Sequence, residues 1–269
     1  MQVAETLPAT EPYVIAERDT RGVVRLTLNR PRQFNALSEE MLAALQAELD
    51  AVAADPQARV VIIAGQGKAF CAGHDLKQMR ANSSQEYYEE LFARCSQVML
   101  TIQRLPQPVI ARVHGIATAA GCQLVAMCDL AVAAEEATFA VSGINVGLFC
   151  STPGVALSRN IGRKAAFEML VTGEFIDAHT AQALGLVNRV VPATDLDAEV
   201  QRLTDAIVAR PAEAIAIGKS LFYRQIEMGI ADAYRLAGET MACNMMEPCA
   251  QEGIDAFIEK RRPVWAPDK

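Results

Sequence analysis

The chain reads as an α/β protein with a helical tail, and three observations predict this. Short apolar runs of strand length recur between helix-length amphipathic segments as far as about residue 191. One of these runs, Val60–Ala64, is wholly apolar, the pattern of a strand buried on both faces. From Pro211 onward the strand signals stop and only helical spacing remains.

Taken in order, Tyr13–Glu17 and Val23–Leu28 pair as a hairpin around Asp19-Thr20-Arg21-Gly22, with alternation in Val24, Leu26 and Leu28. Asn29-Arg30-Pro31 ends it. Ser38 predicts the N-cap of a helix to about Ala54, with Glu39 and Glu40 in the first turn, where acids suit the helix dipole. Its apolar set, Met41, Leu42, Leu45, Leu49 and Val52, keeps helical spacing. After strand Val60–Ala64 comes a loop, Gly65–Lys77. Ser83 opens a long helix to about Leu105, with Glu86 completing a capping box, and Pro106 and Pro108 end it. Val109–Val113 is a buried strand, Gly115–Gly121 a small-residue loop, and Cys122–Cys128 a helix. Leu130–Ala134 and Thr138–Ala140 are short strands and Asn145–Pro153 is a loop. Short helices start near Gly154 and Arg163, and another runs from Ile176-Asp177-Ala178 to a Gly185 cap. Val187–Val191 is a strand, followed by a helix from about Asp195 to Ala209. The tail holds helices Pro211–Glu227, Ile230–Asn244 and Gln251–Arg261. Its Met228, Leu236, Met241, Met245 and Met246 form either an interior face or a subunit interface.

A net charge of −7 on 269 residues argues against a general nucleic-acid or anionic-membrane surface. No apolar run reaches membrane-spanning length, and the opening MQVAETLPAT lacks a basic n-region and an apolar h-region. The seven cysteines (71, 95, 122, 128, 150, 243, 249) are odd in number, mostly in apolar stretches and without metal-site spacing. They read as reduced, buried thiols in a reducing compartment. His74, His114 and His179 are too scattered for a histidine metal site, so no metal is expected.

The stretch Pro108–Asp129 organises the rest. A buried strand that feeds a helix through Gly and Ala brings the unpaired N–H groups of the first helical turn close to whatever lies above the loop. Those donors and the positive end of the dipole favour a negatively charged oxygen. The plainer reading, a helix start packed tightly on a sheet, loses ground because Gly65–Lys77 is a second loop of the same kind.

GKAFCAGHDLK (67–77) and GIATAAGCQLVAMCDLAVAAEEATFA (115–140) closely resemble the two signatures of the crotonase (enoyl-CoA hydratase/isomerase) superfamily. The resemblance extends to the opening LNRPRQFNAL, to IDAHTAQ, ALGLVNRVVP and the ending EGIDAFIEKRRPVW. It implies a crotonase-like spiral of ββα turns with a C-terminal helical trimerisation region. The division would be an acyl-CoA-binding core over 1–205 and an oligomerisation region over 206–269, assembled as a homotrimer or dimer of trimers. It implies an acyl-CoA thioester as ligand, no cofactor beyond the coenzyme A of that substrate, and a role in fatty-acid metabolism. The location would be cytoplasmic, or the mitochondrial matrix if a presequence has been removed. The thioester oxygen would sit between the amides of His74 and Ala120, an oxyanion hole. Ala72 and Arg30 would contact coenzyme A, Lys77 would reach its pyrophosphate, and Phe257, Lys260 and Arg261 would cover the adenine of a neighbouring subunit.

The departures from the family pattern bear on chemistry. Hydratases of the family use two glutamates on one water; their positions here are Gln123 and Gly143. An amide cannot take and return a proton near neutral pH, and glycine has no side chain, so hydration is expected to be weak or absent. Gly143 is a candidate for a positive φ. Glu135 and Glu136 lie on the wrong side of strand Thr138–Ala140 to substitute. Cys150, Ser151 and Asn145 face the expected pocket in the family frame, His114 is expected to satisfy backbone groups, and Asp129 to be structural. Three readings stay open: a hydratase- or isomerase-like enzyme, a decarboxylase or thioester hydrolase using His74, and a non-catalytic acyl-CoA-binding protein.

Overall fold

The computed structural model of the protein describes residues 11–265, so the opening MQVAETLPAT lies outside the described residues. The hairpin forms as expected: β1 (Val14–Arg18) pairs antiparallel with β2 (Val23–Leu28). Helix α1 (Glu39–Ala54) is capped by Ser38, whose hydroxyl accepts from the Met41 N–H at 3.3 Å.

Three successive turns then repeat one plan. Each lays a strand in a first sheet, a short strand in a second sheet, and then helix. The first is β3 (Val60–Gly65), β4 (Ala69–Cys71), α2 (Leu76–Ala81) and α3 (Gln85–Arg104). The second is β5 (Val109–Val113), β6 (Ile116–Thr118) and α4 (Ala120–Met127). The third is β7 (Leu130–Ala134), β8 (Thr138–Ala140), α5 (Ser151–Asn160) and α6 (Arg163–Thr172). The chain continues through β9 (Ile176–Asp177), α7 (Ala178–Leu184), β10 (Arg189–Val191), α8 (Leu196–Val208), α9 (Ala212–Gln225), α10 (Ile230–Met245) and α11 (Pro248–Ile258). The first sheet runs β1-β2-β3-β5-β7-β10 and the second β4-β6-β8-β9. Every pairing after the first hairpin is parallel except β8 with β9. This is the expected spiral of ββα turns.

The inner strands of the first sheet are buried on both faces, as their apolar runs require. Along β3, Val61 and Ile63 join the main core with Leu26, Leu45 and Val98, while Val60 and Ile62 pack with Leu196 and Val200 of α8. The expected boundary at 205/206 therefore falls inside a helix that covers the sheet. The strand-free tail begins with α9.

Several boundaries move, each for a local reason. The long helix is capped by Ser84, which accepts from Tyr87 N–H at 3.2 Å; Ser83 instead accepts from Arg80 at 3.4 Å. Within the expected loop 65–77, three residues pair as β4, and Asp75 caps α2 by accepting from the Lys77 and Gln78 amides. Helix α4 starts at Ala120, ahead of Cys122, because the Gln123 N–H already donates to Ala119 O. The expected loop Asn145–Pro153 is irregular over Gly147–Cys150; its start belongs to a 3₁₀ turn over Ser142–Val146 and its end to the first turn of α5. Strand β10 starts at Arg189 because Asn188 caps the edge, with its side-chain oxygen on Ala131 N–H.

The tail is held by one buried cation. Lys219 of α9 donates to Ile102 O and Gln107 O, both at 2.9 Å, and to Asp129 at 2.6 Å. Asp129 also accepts from Val109 N–H at 2.6 Å and Tyr223 OH at 2.7 Å. Asp129 is thus structural, as expected. Replacing Asp129 by Leu leaves the Lys219 charge buried without its counter-ion and should cost about 3–5 kcal/mol in urea unfolding. A loss under about 1 kcal/mol would mean that the ammonium finds water in the variant.

Candidate functional site

The site lies where the first two ββα turns touch. Gly121, in the first turn of α4, faces β4 so closely that an added Cβ would lie 2.1 Å from Cys71 O. Gly73 sits at φ +87°, and an added Cβ would lie 2.8 Å from the Ala119 Cβ and 3.1 Å from Ala120 N. Only glycine permits both contacts. Ala119, the N-cap, is held at φ 50°, ψ −122° with its N–H on Ala140 O at 3.0 Å. A non-glycine residue there is strained and stays only because its surroundings fix it. Asn35 fixes the other side: fully buried, it donates to Gln66 O, Ala69 O and Phe70 O and accepts from Arg30 N–H.

Beside this junction is a cavity of about 290 Å³. Its wall joins Ala72 and His74 after β4, Leu76 and Met79 of α2, Phe92 of α3, and Ala119 and Ala120 at α4; Ser142, Gly143, Val146 and the run Leu148–Pro153 complete it. Among the described residues, neither the His74 amide nor the Ala120 amide has a hydrogen-bond acceptor. Two free backbone donors on one small cavity can hold an anionic oxygen without any charged side chain.

Among the described residues no Asp, Glu, Lys or Arg lines the wall, and its titratable groups are His74 and Cys150. The His74 ring stands edge-on to Phe92 at 5.3 Å, and its Nε2 is buried without a partner. Burial pushes its pKa down to about 4, so the ring is neutral at pH 7. Burial pushes the Cys150 thiol up, opposed by a hydrogen bond from Gly143 N–H to Sγ at 3.3 Å. Thr118 and Ser142 hydroxyls pair at 2.8 Å on the same side.

Of the sequence-predicted residues, the structure brings Ala72, His74, Ala120 and Gly143 onto this wall, with Cys150 and Ser151. Gln123 is 4% exposed with Oε1 unpartnered, inside α4 and behind the wall. Gly143 does not have a positive φ; its constraint is space, since an added Cβ would lie 2.5 Å from Leu148 O and 2.7 Å from Cys150 Sγ. Asn145 is exposed and donates to Gly173 O at 3.3 Å, which turns it off the wall. Lys77 is exposed on the first turn of α2. The Arg30 guanidinium donates to Pro12 O, Glu11 O and Asn29 O and stacks on Tyr13. Phe257 and Lys260 are exposed at the end of α11, away from the cavity. Glu135 and Glu136 are exposed at the β7–β8 turn, and His114 Nε2 contacts Gly67 O at 2.9 Å. Sequence reading missed the apolar wall: Leu76 and Met79 share a face at helical spacing, but α2 is too short to announce itself, and Phe92 carries no local mark.

The enoyl-CoA hydratase/isomerase family model matches residues 18–268. The chain belongs to that family. Among relatives, the mitochondrial enoyl-CoA hydratase domain-containing protein 3 of Xenopus laevis is 48% identical over 254 residues, 94% of this chain and 86% of that protein. The human counterpart is 44% identical over 257 residues, 96% of this chain and 85% of its own length. A crystal structure of an enoyl-CoA hydratase from Mycobacterium smegmatis matches with TM-score 0.94 and 69% identity, covering 95% of this chain and 99% of that one. The crystal structure of human enoyl Coenzyme A hydratase domain-containing protein 3 matches with TM-score 0.91 and 44% identity, covering 94% and 100%. The fold is the crotonase fold of this family.

The neutral His74 gives the family fold here a measurable pH dependence. Between the ordinary value of 6.5 and about 4, the unfolded chain binds a proton that the folded chain does not. Its contribution is complete above about pH 6.5 and is lost as pH falls, by up to about 3 kcal/mol near pH 4. His74→Phe should flatten that part of a urea-unfolding pH profile. An unchanged slope would show that His74 takes up its proton in the folded chain.

Proposed function

We propose that the protein binds acyl-CoA thioesters with the carbonyl oxygen between the amides of His74 and Ala120, and that it hydrates enoyl-CoA weakly or not at all. The observation that carries this reading is the cavity wall, with two acceptor-free amides and no carboxylate. Family membership supports the ligand class. Lys77, one residue from the wall residue Leu76, is suited to the pyrophosphate of coenzyme A. Arg30 reaches the adenosine part only by exchanging its backbone partners. Ala72 lies against the acyl end.

Two glutamates acting on one water are replaced by a buried amide and a glycine with no room for a side chain. A decarboxylase reading finds less support, because a malonyl-type carboxylate calls for a cation and His74 is neutral. Turnover without hydration would instead favour a thioester hydrolase, and binding without turnover a non-catalytic acyl-CoA-binding protein.

The tail supports a homotrimer or dimer of trimers. Ile230, Tyr234, Met241 and Met246 are 75%, 74%, 70% and 73% exposed, an apolar surface that a second copy would cover, with Phe257 and Lys260 near the neighbour's adenine. Sedimentation at micromolar concentration should find no lone monomer, and a monomer alone would end the assembly reading.

Calorimetry decides the binding mode by altering the ligand. S-butyl-CoA, which lacks the carbonyl oxygen, should bind about tenfold or more weakly than butyryl-CoA; equal affinities would remove the amide pair from the site. This is cleaner than Ala120→Pro, because the residue before a proline does not tolerate the dihedrals of Ala119.

With crotonyl-CoA, turnover should fall far below the ordinary enzyme rate of about 10 s⁻¹. Gln123→Glu should recover little, and Gly143→Glu should destabilise by about 1–3 kcal/mol, since backbone blocks the added side chain. Ordinary turnover by the wild type would mean that another group activates water.

A further inference from the structure

The segment that carries the His74 amide is held by a turn far from it in sequence. Asn35, fully buried at φ 54°, donates from Nδ2 to Gln66 O and Ala69 O at 2.9 Å and to Phe70 O at 3.2 Å. Its Oδ1 accepts from Arg30 N–H at 2.9 Å, and its own N–H closes the turn on Arg30 O at 2.9 Å. Asparagine is among the few residues with a side chain that adopt this left-handed backbone readily. On either side of it, Phe34 O accepts from Ala72 N–H at 3.0 Å, and Leu37 N–H donates to Gly73 O at 2.8 Å. That last oxygen belongs to the peptide unit that carries the His74 N–H. A trans peptide is planar, with its C=O and N–H pointing in opposite directions. Holding Gly73 O from one side therefore sets the direction of the His74 N–H on the other. A carbonyl that accepts a hydrogen bond also polarises its peptide and strengthens the N–H as a donor.

We propose that Asn35 is a positioning residue for thioester binding: its side chain locks the 34–37 turn against the 66–73 loop, and Leu37, held by that turn, aims the His74 amide through Gly73 O. The proposal rests on the acyl-CoA reading above, in which that amide holds the carbonyl oxygen. Asn35 does not line the cavity, so it acts only through the peptide it holds. Its Nδ2 faces three backbone carbonyls, which an amide can serve and a carboxylate, with no hydrogen to give, cannot. Without these bonds the apolar wall keeps its residues, and what is lost is a donor aimed in advance. The signature is therefore a lost preference for a carbonyl rather than lost binding.

Calorimetry on the purified full chain compares butyryl-CoA with S-butyl-CoA in the wild type, Asn35→Gly and Leu49→Ala. Glycine keeps the left-handed backbone and removes only the side-chain bonds. Leu49 is fully buried in α1 and off the cavity wall, so its truncation loosens the core without touching the turn. The wild type should prefer butyryl-CoA about tenfold or more, and Leu49→Ala should keep that preference. Asn35→Gly should bind S-butyl-CoA as the wild type does, with the preference reduced to about twofold or less. An intact preference in folded Asn35→Gly would overturn the assignment and leave the binding mode standing. Its loss in Leu49→Ala as well would overturn the assignment, since any loosening would then suffice. No preference in the wild type would overturn the binding mode and the assignment together. If Asn35→Gly does not fold, hydrogen exchange in the wild type decides. Coupling is reciprocal, so saturating butyryl-CoA should slow exchange of the Leu37 amide about tenfold more than saturating S-butyl-CoA does. Equal slowing by the two ligands would overturn the assignment.

Discussion

The contact between Gly121 and the Cys71 carbonyl is the constraint on which the rest of the molecule depends. At 2.1 Å from a would-be Cβ, it allows no side chain of any size. Its effect is to seat the first turn of α4 on β4, in the second sheet, so the N-terminus of a short helix is delivered to the end of a neighbouring strand. Gly73 repeats the device from the other side, its left-handed backbone turning the chain so that His74 and Ala120 stand on the wall of one cavity. The strain at Ala119 is the local cost of this approach, and its bonds to Ala140 and Gln123 hold it in place.

The far end of the same helix is fixed by different physics. Asp129, just past α4, gathers the start of β5, the Lys219 ammonium and the Tyr223 hydroxyl. Lys219 in turn reaches the carbonyl of Ile102, in the last turn of α3, where the helix dipole favours a cation. One buried ion pair therefore ties the tail to α3 and to the end of α4, two of the helices that wall the site. Its contribution is to orientation more than to stability, since burying two charges offsets much of their attraction. The consequence is a tail whose inner edge is fixed and whose apolar outer face is left open.

Much of this was legible in the sequence because it depends on near neighbours. The ββα repeat follows from apolar runs of strand length, the α1 cap from Ser38, and the two small-residue loops from residues visible in the chain. His74 and Ala120, singled out by the loop signatures, both stand on the wall of one cavity. What stayed hidden depends on contacts between distant segments. Ser83 and Ser84 offer the same hydroxyl to the same kind of helix start, and only the geometry of Arg80 separates them. Asn145 has the composition of a pocket residue but is drawn away by Gly173 O. Gly143 looked like a backbone glycine and proves to be a steric one, because the atoms that crowd it belong to Leu148 and Cys150. The positions of Arg30, Lys77, Phe257 and Lys260 came from the family pattern alone, and in the isolated chain they lie outside the cavity wall.

The electrostatic character of the site follows from what these packing choices exclude. Gly143 is closed against Cys150 with no room for a side chain, and Gln123 is a buried neutral amide in α4. Burial then keeps His74 and Cys150 uncharged. The polar groups on the wall are neutral dipoles, and free backbone donors favour negative charge on an oxygen placed beside them. Such a site separates binding and polarisation of a thioester, which backbone donors can do alone, from proton transfer, which they cannot. Polarisation makes the Cβ of an unsaturated thioester electrophilic whether or not a base is present.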